Sequence, residues 1–248
     1  MTFCLHPSAA ISTHTAYTVH KGIITVTIYN ETTIEAVARE IPQFISGKRL
    51  NHTYAVEREC RVLGALFSAH PILMSQEDVY KLRIAALLHD ITKEKSVEEH
   101  AALAAQYHIP LSDLEKSAPK VLHAKTAPSL ARQTINAKLG CCVVDDTVCD
   151  AIRTHTTGAA HMSLIGKLLY LADYIEETRT FEDCITLRHC FYDTLDTCKD
   201  DPAALSAHLD RVLLCSFDMT IRDLLDSHAP IDANTTAARN ALLFSSAR

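Results

Sequence analysis

The stretch KLRIAALLHDITK, residues 81–93, decides how this chain is read. Ile84, Leu87 and Leu88 recur at three- and four-residue spacing, which predicts a helix over residues 80–89 with one face in the core. His89 and Asp90 then emerge beside the core, where that helix ends. Imidazole and carboxylate together suit a hydrolytic metal site, although a helix-end polar pair alone is more often structural. The reading therefore turns on other His and Asp residues on apolar helices. His52, His123, His155 and Asp173 are such residues.

Outward from this stretch the pattern stays helical. The chain has 248 residues, only six glycines, and long Ala/Leu-rich segments from Glu31 onward, so an all-α domain is predicted. Helices are read over 32–45, with Pro42 as a kink or stop, and over 51–69, with Asn51 as its cap. Others follow over 96–107, 130–139, 146–154 and 164–176. In the last of these, Leu164, Ile165, Leu168, Leu169, Leu171, Ala172 and Ile175 form a wide apolar face beside Asp173. The pattern continues through Leu205, Leu209, Val212, Leu213, Phe217, Leu224 and Leu225. Residues 1–30 differ, because 22–29, GIITVTIY, is β-branched and alternates like a strand. The expected organisation is an N-terminal extension over 1–30, followed by one helical domain over 31–248.

Composition excludes several classes. A hydrophobic content of 48% suits a packed core, and neither a membrane-length apolar run nor a secretory leader is evident, so a cytoplasmic protein is expected. The nine cysteines lack paired metal-type spacing and read as reduced thiols. A formal charge of -6 without Lys/Arg runs argues against a nucleic-acid surface. A local Lys/Arg/metal cluster can still bind a small anion in an acidic protein.

Six blocks stand in order along the chain: NHTYAV (51–56), AALLHDITKE (85–94), VLHAKTA (121–127), DAIRTHTTG (150–158), MSLIGKLLYLADYIEETRTF (162–181) and PIDANTTAARN (230–240). Together they resemble the YqeK-type HD-domain hydrolases over roughly residues 31–248. That resemblance implies an HD-domain helical bundle and a symmetrical bis(5′-nucleosyl)-tetraphosphatase, which splits diadenosine tetraphosphate into two ADP. It implies a divalent metal, iron first, with manganese, magnesium or cobalt as alternatives, and it allows a homodimer. Carried over residue by residue, it makes His52, His89, Asp90 and Asp173 metal ligands. His89, Asp90, His123 and His155 become the catalytic set. The substrate would meet His52, Asp90, Ile91, Thr92, Lys93, His123, His155, Thr156, Asp173 and Arg179, and a C-terminal loop of Pro230, Ile231, Asp232, Ala233, Asn234 and Thr235. A second metal held partly by His123 and His155 is the alternative to direct phosphate contact there.

The expected chemistry is attack of metal-activated water at the centre of the tetraphosphate. Lys93, Arg179 and the imidazoles would neutralise the nonbridging oxygens, and His123 or His155 would protonate the leaving oxygen. The chain departs from the resemblance at Ala124 and Lys125, where a Gly-Pro or similar small pair is usual, in what is expected to be a loop after His123. The competing readings are another HD-domain nucleotide phosphohydrolase and a non-catalytic nucleotide sensor.

Overall fold

Side-chain caps start six of the helices and apolar burial carries the bundle. The computed structural model describes residues 15–20, 23–117 and 119–246. Strands β1 (Thr15–His20) and β2 (Ile23–Ile28) pair antiparallel, with Thr15 opposite Ile28 and His20 opposite Ile23; β2 falls where the sequence read a strand, and β1 was not read. Eleven α-helices follow among the described residues. In α1 (Glu31–Glu40), Asn30 caps by accepting from Thr33 N–H, and Pro42 sits in a short 3-10 turn that ends the helix. Helix α2 (Gly47–Ser68) starts one turn before the expected Asn51. The extended residue is Ser46, and Lys48, Arg49 and Leu50 are good helix formers. Arg49 therefore lies one turn before His52 on the same helix.

Helix α3 (Gln76–Leu88) opens with a capping box in which Ser75 and Asp78 exchange hydrogen bonds. Helix α4 (Val97–Gln106) repeats the device with Ser96 and Glu99. After the short α5 (Asp113–Ser117) comes α6 (Leu122–Leu139), eight residues longer at its start than the sequence reading and with Pro128 inside it. An interior proline costs a helix about 3 kcal/mol. Burial of Leu122, Ala124, Ala127, Ala131 and Ile135 offsets this, since a single leucine or isoleucine contributes roughly 1.5–3 kcal/mol. His123 is consequently helical, and the expected loop after it does not exist.

Helices α7 (Asp146–Thr154) and α8 (Leu164–Ile175) follow the sequence reading closely, capped by Asp145 and Ser163. Beyond them come α9 (Glu182–Tyr192), α10 (Pro202–Asp226) and α11 (Ala233–Ser246). Helix α2 packs on α3 and α8, α7 on α3, α6 and α8, and α10 on α8, α9 and α11. The shared core includes Val56, Leu63, Phe67, Leu87, Ile152, Leu168, Leu171, Leu209 and Phe217, whereas Leu225 is exposed. No described helix is long and apolar enough to cross a membrane. None of the described cysteines is in a disulfide.

Candidate metal centre

Two of the site histidines are placed by the same local device. His89 is the first residue past α3 and His155 the first past α7. The last carbonyls of a helix have no intrahelical donor, and each imidazole supplies one three residues back. His89 Nδ1 lies 2.6 Å from Ala86 O, and His155 Nδ1 lies 2.6 Å from Ile152 O. A carbonyl only accepts, so Nδ1 carries the proton and Nε2 turns inward as a lone pair. His52, in mid-α2, is held similarly: its Nδ1 meets Glu176 Oε1 at 3.0 Å.

Asp90 lies at the centre and divides the cluster between its two oxygens. Oδ2 is 3.5 Å from His89 Nε2, 3.9 Å from His52 Nε2 and 2.6 Å from Arg49 Nη1. Asp173 closes that side, with Oδ1 2.9 Å from His52 Nε2 and 3.9 Å from His89 Nε2. Oδ1 of Asp90 is 3.2 Å from His123 Nε2 and 3.8 Å from His155 Nε2. His123 and His155 join their Nε2 atoms at 3.0 Å, and Thr156 Oγ1 lies 3.1 and 3.0 Å from the same two atoms. Lys93 Nζ is 3.2 and 3.1 Å from the two ring nitrogens of His123.

Electrostatics follow the contacts. Burial disfavours charge on Asp90, but His89, His155 and His123 outweigh it and hold the carboxyl well below the usual range. Burial acts likewise on Asp173, where His52 and Arg179 prevail. Burial pushes the Lys93 ammonium down, against Asp90 and Asp173. Burial, His155 and Lys93 drive His123 far below an ordinary histidine.

The residues fit a divalent cation. Nε2 of His52 and Nε2 of His89 are buried without any hydrogen-bond partner, a state that costs about 1–3 kcal/mol per group. Ligand atoms of His52, His89 and Asp90 lie within 4.8 Å of one another, as do those of His89, His155 and Asp173 and those of Asp90, His123 and His155. Imidazole nitrogen and carboxylate oxygen suit a hard or borderline divalent ion.

Four groups supporting this centre escaped the sequence reading. Arg49 contacts Asp90 from the His52 face of α2. Glu176, fully buried, orients His52 and accepts from Thr178. Its signal was an acid three residues after Asp173, one helical turn on. Arg188 donates to the carbonyls of Ile175, Glu176 and Arg179, pinning the turn after α8. A buried relay runs from His100 through Thr126 and Thr92 to the His123 carbonyl.

Other expectations fall differently. Ile91 and Thr92 are fully buried, and the Thr92 hydroxyl supports the His123 backbone. Arg179 reaches Asp173 Oδ1 at 2.7 Å and walls a cleft of ≈ 520 Å³ that it shares with Lys93, Thr156, Asp173 and Phe181. Tyr170 is core, whereas Tyr174 walls the cleft and bonds Thr220. Pro230, Ile231 and Asp232 precede α11, and Ala233, Asn234 and Thr235 are its first turn rather than a loop. None of these six walls that cleft or the smaller pocket formed by Lys48, Arg49, His52, Glu176, Thr178 and Arg179. Gly158, which closes the HTTG block, has φ +69°, and a Cβ there would lie 2.6 Å from Phe217 Cζ and 2.8 Å from Ala238 Cβ. Glycine is required on both counts.

A helical bundle that gathers His and Asp groups able to hold a metal is the character of an HD domain, and the HD-domain family profile matches residues 49–178, more than half of the chain. A symmetrical bis(5′-nucleosyl)-tetraphosphatase of Halalkalibacterium halodurans is 30% identical over 195 residues, spanning 79% of this chain and 89% of that protein. Its Bacillus subtilis counterpart is 32% identical over 141 residues, spanning 57% and 68%. A Clostridium acetobutylicum crystal structure, described as a predicted HD superfamily hydrolase involved in NAD metabolism, superposes with a TM-score of 0.68 at 28% identity, over 85% of this chain and 97% of that one. The chain belongs to the HD-domain family and, within it, to the symmetrical bis(5′-nucleosyl)-tetraphosphatases.

Proposed function

We propose that the chain hydrolyses dinucleoside tetraphosphates symmetrically, to two nucleoside diphosphates, at the cluster around Asp90. The carrying observation is the pair of buried, unpartnered Nε2 atoms of His52 and His89 facing Asp90 and Asp173, with Lys93 and Arg179 alongside. The named activity of the relatives supports the same reading.

His52, His89, Asp90 and Asp173 would hold a divalent cation, iron by the resemblance. Such an ion polarises a phosphoryl oxygen and lowers the pKa of a bound water toward neutrality. Lys93 and Arg179 neutralise charge on the nonbridging oxygens, the larger part of phosphoryl-transfer catalysis. His155 spends its one ring proton on the Ile152 carbonyl, so its Nε2 meets the cavity as a lone pair. His123 Nε2 lies 3.0 Å from that lone pair and so carries the His123 ring proton, while Nδ1 accepts from Lys93. Of the two expected imidazole donors this leaves His123, with Lys93 behind its Nδ1, to protonate the leaving oxygen.

Chromatography of products from diadenosine tetraphosphate tests the reading. ADP as sole nucleotide product, lost on chelation and restored by metal, is expected. ATP plus AMP rejects symmetrical cleavage, and tripolyphosphate released from a deoxynucleotide assigns a different HD-domain hydrolase.

A further inference from the structure

Helices α9 and α10 pack against each other, and three sulfurs gather along their seam. Cys190, in the last turn of α9, is exposed, and Cys215, half-buried on α10, forms a side-chain hydrogen bond with it. Cys215 Sγ also lies 3.7 Å from Met219 Sδ, one turn further along α10. Contacts on both sides hold the two helices in this register. His208 Nε2 lies 2.9 Å from Phe191 O, with the two rings stacked at 5.3 Å, while Leu187 and Ser216 share the wall of the cleft. Cys190 falls between Leu187 and Phe191 along its helix, and Cys215 between His208 and Ser216 along the other.

The other described cysteines differ from this pair. Cys60, Cys149, Cys184 and Cys198 are buried, and burial pushes each thiol up and away from the reactive thiolate. Cys141 and Cys142 are half-buried and adjacent in the chain. Consecutive Cα atoms stand about 3.8 Å apart, short of the roughly 4.4–6.8 Å that a disulfide spans. Cys190 alone among the described cysteines is exposed, so a reagent in solution reaches it first. Burial and the facing Cys190 push the Cys215 thiol up, which suits it to close on an already modified Cys190 rather than to react first.

We propose that Cys190 and Cys215 are a redox modification site, closing to a reversible disulfide that fastens α9 to α10, with a small-molecule disulfide as oxidant. The Cys190 thiolate attacks one sulfur of that reagent; a bond to Cys190 Sγ forms, the reagent's sulfur–sulfur bond breaks, and one thiolate leaves. The Cys215 thiolate then attacks Cys190 Sγ, the protein disulfide forms, and the second thiolate leaves. Both protein thiols are oxidised, the reagent is reduced to two thiols, and the two protein protons pass to them through solvent. The bond also reaches the site's surroundings. Arg188, two residues before Cys190, donates to the carbonyls of Ile175, Glu176 and Arg179, so the disulfide ties the turn that carries Arg179 to α10 through α9.

The test incubates the reduced, metal-loaded full chain with glutathione disulfide, blocks the remaining thiols by alkylation and maps the peptides by mass spectrometry. A cross-linked peptide joining Cys190 to Cys215 within one chain is expected, reopened by dithiothreitol. The oxidised chain should melt about 5–10 °C above the reduced one, because the bond closes a loop in the unfolded chain. Cys190→Ser, at an exposed position, should form no cross-link and show no thermal shift. Cys215→Ser should stop at a glutathione adduct on Cys190. A lasting glutathione adduct on Cys190 of the unsubstituted chain, a cross-link between other cysteines or between two copies, or a cross-link without a thermal shift would each overturn the proposal.

Discussion

The two sides of Asp90 use the same residue types and place them in different company. On the Oδ2 side, His52 and His89 point unpartnered nitrogens at two carboxylates. On the Oδ1 side, His123 and His155 touch each other, Thr156 and, through His123, the Lys93 ammonium. Lone pairs converging with carboxylates make a hole for a cation. Imidazoles on the other side also converge on a carboxylate oxygen, but they touch each other and have an ammonium behind them. What an imidazole binds is thus set by its neighbours.

Breaking the shared carboxylate is expected to have the largest effect. Asp90→Ala should lower turnover on the order of 10³-fold and strip the metal, measured by elemental analysis, with helical circular dichroism retained. A metal-replete Asp90→Ala would refute the cation-side assignment. His123→Ala, on the other side, should cost about 10²-fold in kcat while the ion on the Oδ2 side stays. Equal metal loss in the two variants would erase the distinction.

Gly158→Ala probes how the Oδ1 side is backed. The added methyl meets Phe217 and Ala238 at a positive φ, so denaturant melting should show a loss of about 2–3 kcal/mol. Glu176→Gln tests the brace behind His52. A neutral acceptor orients the ring less firmly, and metal affinity, read by competition with a chelator, should fall about tenfold. The smallest effect is on the alkaline limb of kcat/KM. Burial lowers the Lys93 pKa despite Asp90 and Asp173, so its ammonium is complete below that value and activity falls as pH rises through it, earlier than for an ordinary lysine. Lys93→Arg should move that limb upward.

Much of this was legible in residue order. The apolar spacing before His89 and around Asp173 is local, and each helix end carries its own cap, so α3, α7 and α8 could be read directly. Helix α6 could not be read that way, because Pro128 is a local stop signal overridden by burial of Ala127, Ala131 and Ile135. Arg49, Glu176 and Arg188 carry no local mark of function, since each acts on a group brought beside it by packing. The C-terminal block is a loop by the family resemblance, yet Ala233 begins a helix that packs on α10.

The sequence by itself determined the all-helical class, the His and Asp residues of the centre and the family resemblance, because periodicity and side-chain chemistry are properties of neighbours along the chain. Tertiary structure alone decided that Asp90 is shared between two unlike sides and that Glu176 and Lys93 stand behind them. Those outcomes depend on distances between α2, α3, α6, α7 and α8, and the distances follow from how the apolar faces interlock.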